Sequence, residues 1–292
     1  MKKILIMLLM LAVVFALSAC GGGGEIRSLS DLERDGIIIG VQNGTTGHIF
    51  ADDNFPNAEV SAFPLFTDAV MALLAGSIDA VIVDYVAALE FAAEHPERLT
   101  LLDGVLTSEY YGIAFPLGSP LTERFNYAMN ILRENSTMDQ LYEYWITSVM
   151  TGSPGPGGAR YVSPPDIEHP NGVLRMGTSA GFPPFEMWEG DRIVGFDPCM
   201  AQAIGDILGY QIEIVDMAFA AIILAVQTGD VDFGMAGMTI TDVRREEVDF
   251  SQGYFASGQR VLVRRPGADV MDADEIAALA EEGEADDEGD GE

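Results

Sequence analysis

Cysteine is almost missing from this chain: among 292 residues there are only Cys20 and Cys199. Cys20 ends a leader-like segment, which leaves Cys199 alone and excludes an intrachain disulfide in the processed chain. Cys199 is expected to pack as a small apolar residue at a helix start. Histidine is as scarce. His48, His95 and His169 stand far apart without ligand spacing, so neither a metal site nor a cofactor is expected. Basic residues are few, 15 against 46 acids, and the formal charge of -31 disfavours nucleic acid or an anionic membrane surface as partner. Twelve of those acids and no base fall between Gly267 and Glu292, so the last ten residues are expected to be a solvated, disordered end. Beyond the first twenty residues no run is long and apolar enough to cross a bilayer.

What is present begins with MKKILIMLLMLAVVFALSAC: two lysines, an apolar run and small residues before Cys20, the pattern of a secretory signal. Leu17-Ser18-Ala19-Cys20 resembles the bacterial lipobox, in which the cysteine is lipidated. Residues 1–20 are therefore expected to be a lipoprotein signal peptide and residues 21–27 a flexible tether. The chain would sit outside the cytoplasm, attached to the bacterial cell membrane by lipid on Cys20.

The chain also repeats itself. FTDAVMALLAGSIDAVIVD, from Phe66 to Asp84, aligns without a gap to FAAIILAVQTGDVDFGMAG, from Phe219 to Gly237. Each has an aromatic residue, an apolar helical stretch, a glycine (Gly76, Gly229) suited to a left-handed helix stop, and an aspartate (Asp79, Asp232) opening a short buried strand. VLRMGTSAG similarly resembles IIIGVQNGT, each strand breaking at a glycine (Gly177, Gly40) into small polar residues. Two similar α/β lobes are predicted. Ligands of open α/β sheets gather beyond the carboxyl ends of strands, which would bring Ser179, Asn43 to Gly47, Asp84 and Ala236 to Thr239 to one cleft.

After one strand comes AGMTITDVRREEV, where Arg244 follows a short helix start capped by Thr241 or Asp242. A guanidinium fork there suits a carboxylate. Asp84 on the other lobe suits an ammonium group, and Phe182 and Phe219 are candidate walls. Those features describe an α-amino acid, unless Arg244 pairs with Glu247 on its own helix and the two phenylalanines are simply core.

Several long segments resemble the bacterial polar amino-acid-binding proteins that serve ABC importers: GVQNGTTG, IDAVIVD, EYYGIAFPLGSPLTERFNYAMNILRENSTMDQLYEYW, PNGVLRMGTSAGFPPFEMWEGDRIVGFDPCMAQAIGDILG and AGMTITDVRREEVDFSQGYFASGQRVLV. The resemblance implies an α/β, type II periplasmic-binding-protein-like fold of two lobes joined by two hinge strands, Glu109 to Gly112 and Tyr254 to Gly258. It implies that Arg244 grips the ligand carboxylate with Thr239, Gly237 and Thr45 or Thr46, that Asp84 takes the ammonium, and that Phe182 and Phe219 sandwich the side chain. Ser179, Gln42 and Val83 fall where relatives read the side chain. No extra carboxylate is evident, so an uncharged polar or mid-sized ligand is expected, unless Glu186 or Glu189 points into the cleft. The implied partners are a small-molecule amino acid and the membrane subunits of an ABC importer.

The segments come in rotated order. Residues 28–110 form the family's second lobe, 111–150 the C-terminal part of its first, 151–172 a Pro/Gly linker, 173–257 the N-terminal part of the first lobe, 258–268 a strand crossing back and 269–292 an acidic tail. A circularly permuted monomer is expected, with a domain-swapped dimer as its competitor. DADEIAALAEEG, from Asp272, resembles SLSDLERDG before Gly40, as a duplicated ancestor would leave. Two other functions stay open: a dehydratase-like enzyme with Glu186 as its best acid, His48 being the lesser choice, and a rearranged relic or sensory module that binds nothing.

Overall fold

The computed structural model describes residues 25–152, 158–276 and 278. The signal peptide, Cys20, most of the tether and residues 279–292 lie outside the described residues. The short apolar runs form two five-stranded sheets built to one plan. In the first, the spatial order is Glu59–Phe63, Ile38–Gln42, Ala80–Asp84, Gln259–Arg264 and Leu99–Leu101. In the second it is Gln211–Asp216, Val173–Thr178, Phe233–Gly234, Ala114–Phe115 and Asp249–Phe250. The first three strands of each sheet are parallel and the fourth runs antiparallel to the third. We call the two units the aspartate lobe and the arginine lobe, after Asp84 and Arg244.

The repeated motif explains the equivalence. Gly76 and Gly229 both stop a helix at positive φ, 71° and 78°, where glycine lacks the Cβ penalty. The aspartate three residues on then binds the neighbouring strand. Asp79 Oδ2 accepts from the amide of Ile38 (2.9 Å) and Asp232 Oδ2 from that of Arg175 (2.7 Å). Helix Phe66–Leu74 buries Phe66, Ala69, Val70, Leu73 and Leu74, the single apolar stripe that a helix lays on a sheet. Strand Ala80–Asp84 is buried along its whole length, as a strand covered on both faces must be.

The chain changes lobes twice. Glu109–Tyr111 and Phe255–Ser257 pair antiparallel between the two sheets. After each, the chain supplies the antiparallel strand of the opposite sheet, Ala114–Phe115 in one direction and Gln259–Arg264 in the other. Each sheet therefore contains a strand delivered by the other lobe.

Residues 158–172, within the expected Pro/Gly linker 151–172, form a strap folded on helix Phe196–Leu208. Tyr161 donates to Asp206 Oδ2 (2.8 Å), the His169 Nε2 lies 2.8 Å from Asp206 Oδ1, and Asn171 donates its amide to the Gly209 carbonyl (2.9 Å). Proline and glycine exclude regular structure but say nothing about side chains that anchor an irregular segment. The resemblance of the tail to the first helical turn does not extend to a shared place. The 3₁₀ turn Leu29–Glu33 puts Leu32 in a core with Ile39 and Val261, whereas Met271 donates its amide to Leu74 and joins the other core. Cys199 is half-buried in the first turn of its helix.

Candidate functional site

Where the lobes meet, one small cavity is lined by Gln42, Thr45, Thr46, Asp84, Ser179, Phe182, Phe219, Gly237, Thr239 and Arg244. These are the ten residues singled out from sequence, and the structure brings all of them to one place. Phe66, Glu186 and Ala236 complete the wall. Phe66 was legible in the repeat, because it is the counterpart of Phe219 in the gapless alignment.

Arg244 is buried inside a short helix whose N-cap is Thr241, the hydroxyl accepting from the Arg244 amide. Its Nη1 donates to the Thr239 carbonyl (2.7 Å) and its Nη2 to the Gly44 carbonyl of the other lobe (3.0 Å), while Phe219 covers the guanidinium at 5.3 Å. Glu247 is not its partner. Both acceptors are neutral carbonyls, so the charge is balanced only at longer range. Burial lowers the Arg244 pKa to about 10, with Glu109 and Asp84 working against that shift. Gly44 sits at φ 79°, and a Cβ there would touch Ala220 at 3.0 Å, so the loop needs glycine to close on the arginine lobe.

Asp84 ends its strand and takes three donors. Tyr111 (2.5 Å) and Ser257 (3.1 Å) donate to Oδ1, and Gln259 Nε2 (3.0 Å) to Oδ2. Burial, then the negative charge of Glu109, still pushes its pKa up to about 6. Thr45 caps helix Thr46–Asn54: its hydroxyl donates to the Gln42 carbonyl and accepts from the His48 amide. That helix begins at the cavity, and its first amides have no partner within the helix. Gln42 and Ser179 occupy equivalent ends of their strands and touch across the cleft at 3.3 Å.

Phe182 belongs to an aromatic cluster, 5.4 Å from Phe66 and stacked on Phe185 at 5.3 Å. A Cβ on Gly237 would meet its ring at 2.5 Å, so glycine is what lets the segment 236–239 pass this wall. Gly237 in turn donates its amide to Asp197 Oδ2 (2.9 Å).

The sequence reading left open which of two glutamates faces inward. Glu189 is exposed and paired with Arg160. Glu186 closes the FPPFE turn, where its amide donates to the Phe182 carbonyl and its carbonyl accepts from Phe182. Glu186 is 1% exposed, lines the cavity, and has its carboxyl against that of Asp197, with no amide, hydroxyl or cation among the described residues donating to either oxygen. Burial and the neighbouring Asp197 charge push its pKa well above the usual carboxylate range. The expectation that the cleft lacks an extra carboxylate is thus overturned.

A model of the bacterial extracellular solute-binding proteins, family 3, matches residues 174–282. The arginine-binding extracellular protein ArtP of Bacillus subtilis (strain 168) is 44% identical over 92 residues, 32% of this chain and 36% of that protein. A probable histidine-binding protein of Neisseria gonorrhoeae is 33% identical over 112 residues, 38% of this chain and 41% of that protein. The chain thus spans about two fifths or less of the length of these relatives. The crystal structure of the arginine-bound form of domain 1 from TmArgBP is 36% identical, with 38% of this chain and 94% of that one covered and a TM-score of 0.28. Through residues 174–282 the chain belongs to the bacterial extracellular solute-binding proteins, family 3.

Proposed function

We propose that the protein is a lipid-anchored, extracytoplasmic binding protein that captures a cationic amino acid by hinge closure and delivers it to an ABC importer. The observation that carries the choice of ligand is Glu186, buried in the cavity wall against the Asp197 carboxyl with no cation among the described residues beside either group. Two carboxyls buried side by side do not both ionise without a counter-charge, so the pair keeps a proton until a cation replaces it. The α-carboxylate goes to Arg244 and the first amides of helix Thr46–Asn54, and the α-ammonium to Asp84. An uncharged side chain would leave Glu186 unmatched, whereas a guanidinium, ammonium or imidazolium group would satisfy it. The similarity to arginine- and histidine-binding relatives supports the same reading.

The pairing of Glu109–Tyr111 with Phe255–Ser257 supports a hinge, since these are the two strands linking the sheets. The order of segments supports a circular permutation folded as a monomer. In keeping with that, Glu25 and Ile26 line a surface cavity together with Arg265, Gly267 and Ala268, where a chain in the family's usual order would run on. Lipidation at Cys20 rests on the leader sequence.

A thermal-shift panel of the twenty amino acids on the full-length protein tests the function. A ligand at 100 times its dissociation constant stabilises by about 2.7 kcal/mol, which moves the melting point by several degrees. Shifts confined to arginine, lysine or histidine are expected. A cooperative melt that no amino acid moves would sink the reading.

A further inference from the structure

Glu109 is a buried carboxylate with no place in the ligand scheme above. It stands on a crossing strand and gathers donors from both lobes. Its Oε1 accepts from Thr107 (2.7 Å), and its Oε2 accepts from Thr46 (2.9 Å) and Thr239 (2.6 Å), with Gln259 Nε2 at 3.4 Å. Thr46 opens a helix of the aspartate lobe, and Thr239 follows the third strand of the arginine lobe. One oxygen atom therefore ties the two lobes together.

The hydroxyl geometry adds a second consequence. A threonine hydroxyl carries one proton. With both protons directed at Glu109, Thr46 and Thr239 turn lone pairs, not donors, towards the cavity that they line, one lone pair of Thr46 accepting from Gln259 Nε2 (3.3 Å).

We propose that Glu109 is a positioning residue that latches the closed form, holding Thr46 and Thr239 on one carboxylate oxygen and presenting both hydroxyls to the ligand as acceptors. This rests on the reading of the protein as one that closes on an amino acid. Rotation about the crossing strands parts Thr46 from Thr239, so Oε2 keeps both only while the cleft is shut. Association begins on the open form and does not feel the latch, whereas dissociation requires its rupture.

The test is stopped-flow binding of L-arginine to the full-length protein, comparing wild type, Glu109→Gln, Thr239→Val and the double variant. Glu109→Gln should speed dissociation about tenfold and leave association within about twofold, because charge-assisted bonds are replaced by neutral ones. The double variant should dissociate no faster than Thr239→Val by more than about twofold, since the two residues act through one contact. An unchanged dissociation rate, a change confined to association, or multiplicative effects in the double variant would overturn the latch. If Glu109→Gln fails to fold, Thr46→Val must show the faster dissociation. If wild type binds no amino acid, the ligand reading has failed separately and small-angle scattering decides the latch: a larger radius of gyration for Glu109→Gln supports it, and equal radii refute it.

Discussion

Arg244 and Gly44 lie 200 positions apart, yet the guanidinium of one donates to the carbonyl of the other across the cleft at 3.0 Å. The loop GVQNGTTG near the start of the chain thus closes on an arginine that arrives from its far half. Nothing else in the loop carries a full charge, so the cation makes this junction an anion site.

Truncating Arg244 to alanine should therefore abolish amino-acid binding, with a loss of at least about 100-fold, while a cooperative melt persists. Isothermal calorimetry of Arg244→Ala measures it. Affinity within a few-fold of wild type would place the ligand carboxylate elsewhere.

Glu186→Gln separates ligand class from ligand binding. Affinity for arginine should fall about 30-fold or more, while binding of an uncharged amino acid such as glutamine should be gained or unchanged. The variant should also melt slightly higher without ligand, because two buried acids are no longer juxtaposed and the new amide can donate to Asp197. If arginine binds Glu186→Gln as tightly as wild type, Glu186 does not read the side chain.

The pH dependence of binding follows from the same acids. Asp84 is raised to about 6 and Glu186 well above the usual carboxylate range, both first by burial. Both must be ionised to meet a cationic ligand, so binding releases protons, and for Asp84 affinity rises with pH up to about 6, by up to about tenfold per unit. Asp84→Asn should flatten that slope as well as weaken binding. Calorimetry in buffers of different ionisation enthalpy reads the protons directly, and a ligand that binds with no proton release at about pH 5 contradicts the assignment.

Asp206 anchors the strap. Burial alone would raise its pKa, but hydrogen bonds from His169, Ser163, Tyr161 and Gln202 outweigh it and hold the carboxyl below its ordinary value. A carboxyl depressed by folding contributes stability that is present above its unfolded pKa and lost as pH falls through the folded one. Asp206→Ala should cost about 2 kcal/mol or more at pH 7, and that deficit should shrink as the wild type is acidified below about pH 4. Equal melting points at neutral pH would mean that the strap contributes nothing to the fold.

The repeat explains why so much of the architecture was legible. Gly76 and Gly229, Asp79 and Asp232, and Phe66 and Phe219 are local signals: each depends on a helix stop, a strand start or an apolar stripe, which a few neighbouring residues specify. Ser179, Thr45, Asp84, Gly237 and Thr239 could be chosen because they follow or close parallel strands, whose carboxyl ends share one side of a sheet, whereas Arg244, Phe182 and Phe219 were singled out by residue chemistry and by the family resemblance. The strap was missed for the opposite reason. Tyr161 and His169 find Asp206 some forty positions away, and nothing near either residue announces that contact.

The sequence by itself determined the two α/β lobes, the residues at their strand ends, and the acidity of the chain, because these follow from period, turn chemistry and charge. The tertiary structure decided which carboxylates face the cavity. Glu186 and Glu189 are three residues apart and chemically alike, yet a tight turn buries one against the Asp197 carboxyl while the other reaches solvent and Arg160. It also decided that Glu109, on a crossing strand, would meet hydroxyls from both lobes. Burial and partner choice come from atoms distant in sequence, and they set whether a carboxylate is a solvated surface charge, a latch or a ligand for a cation.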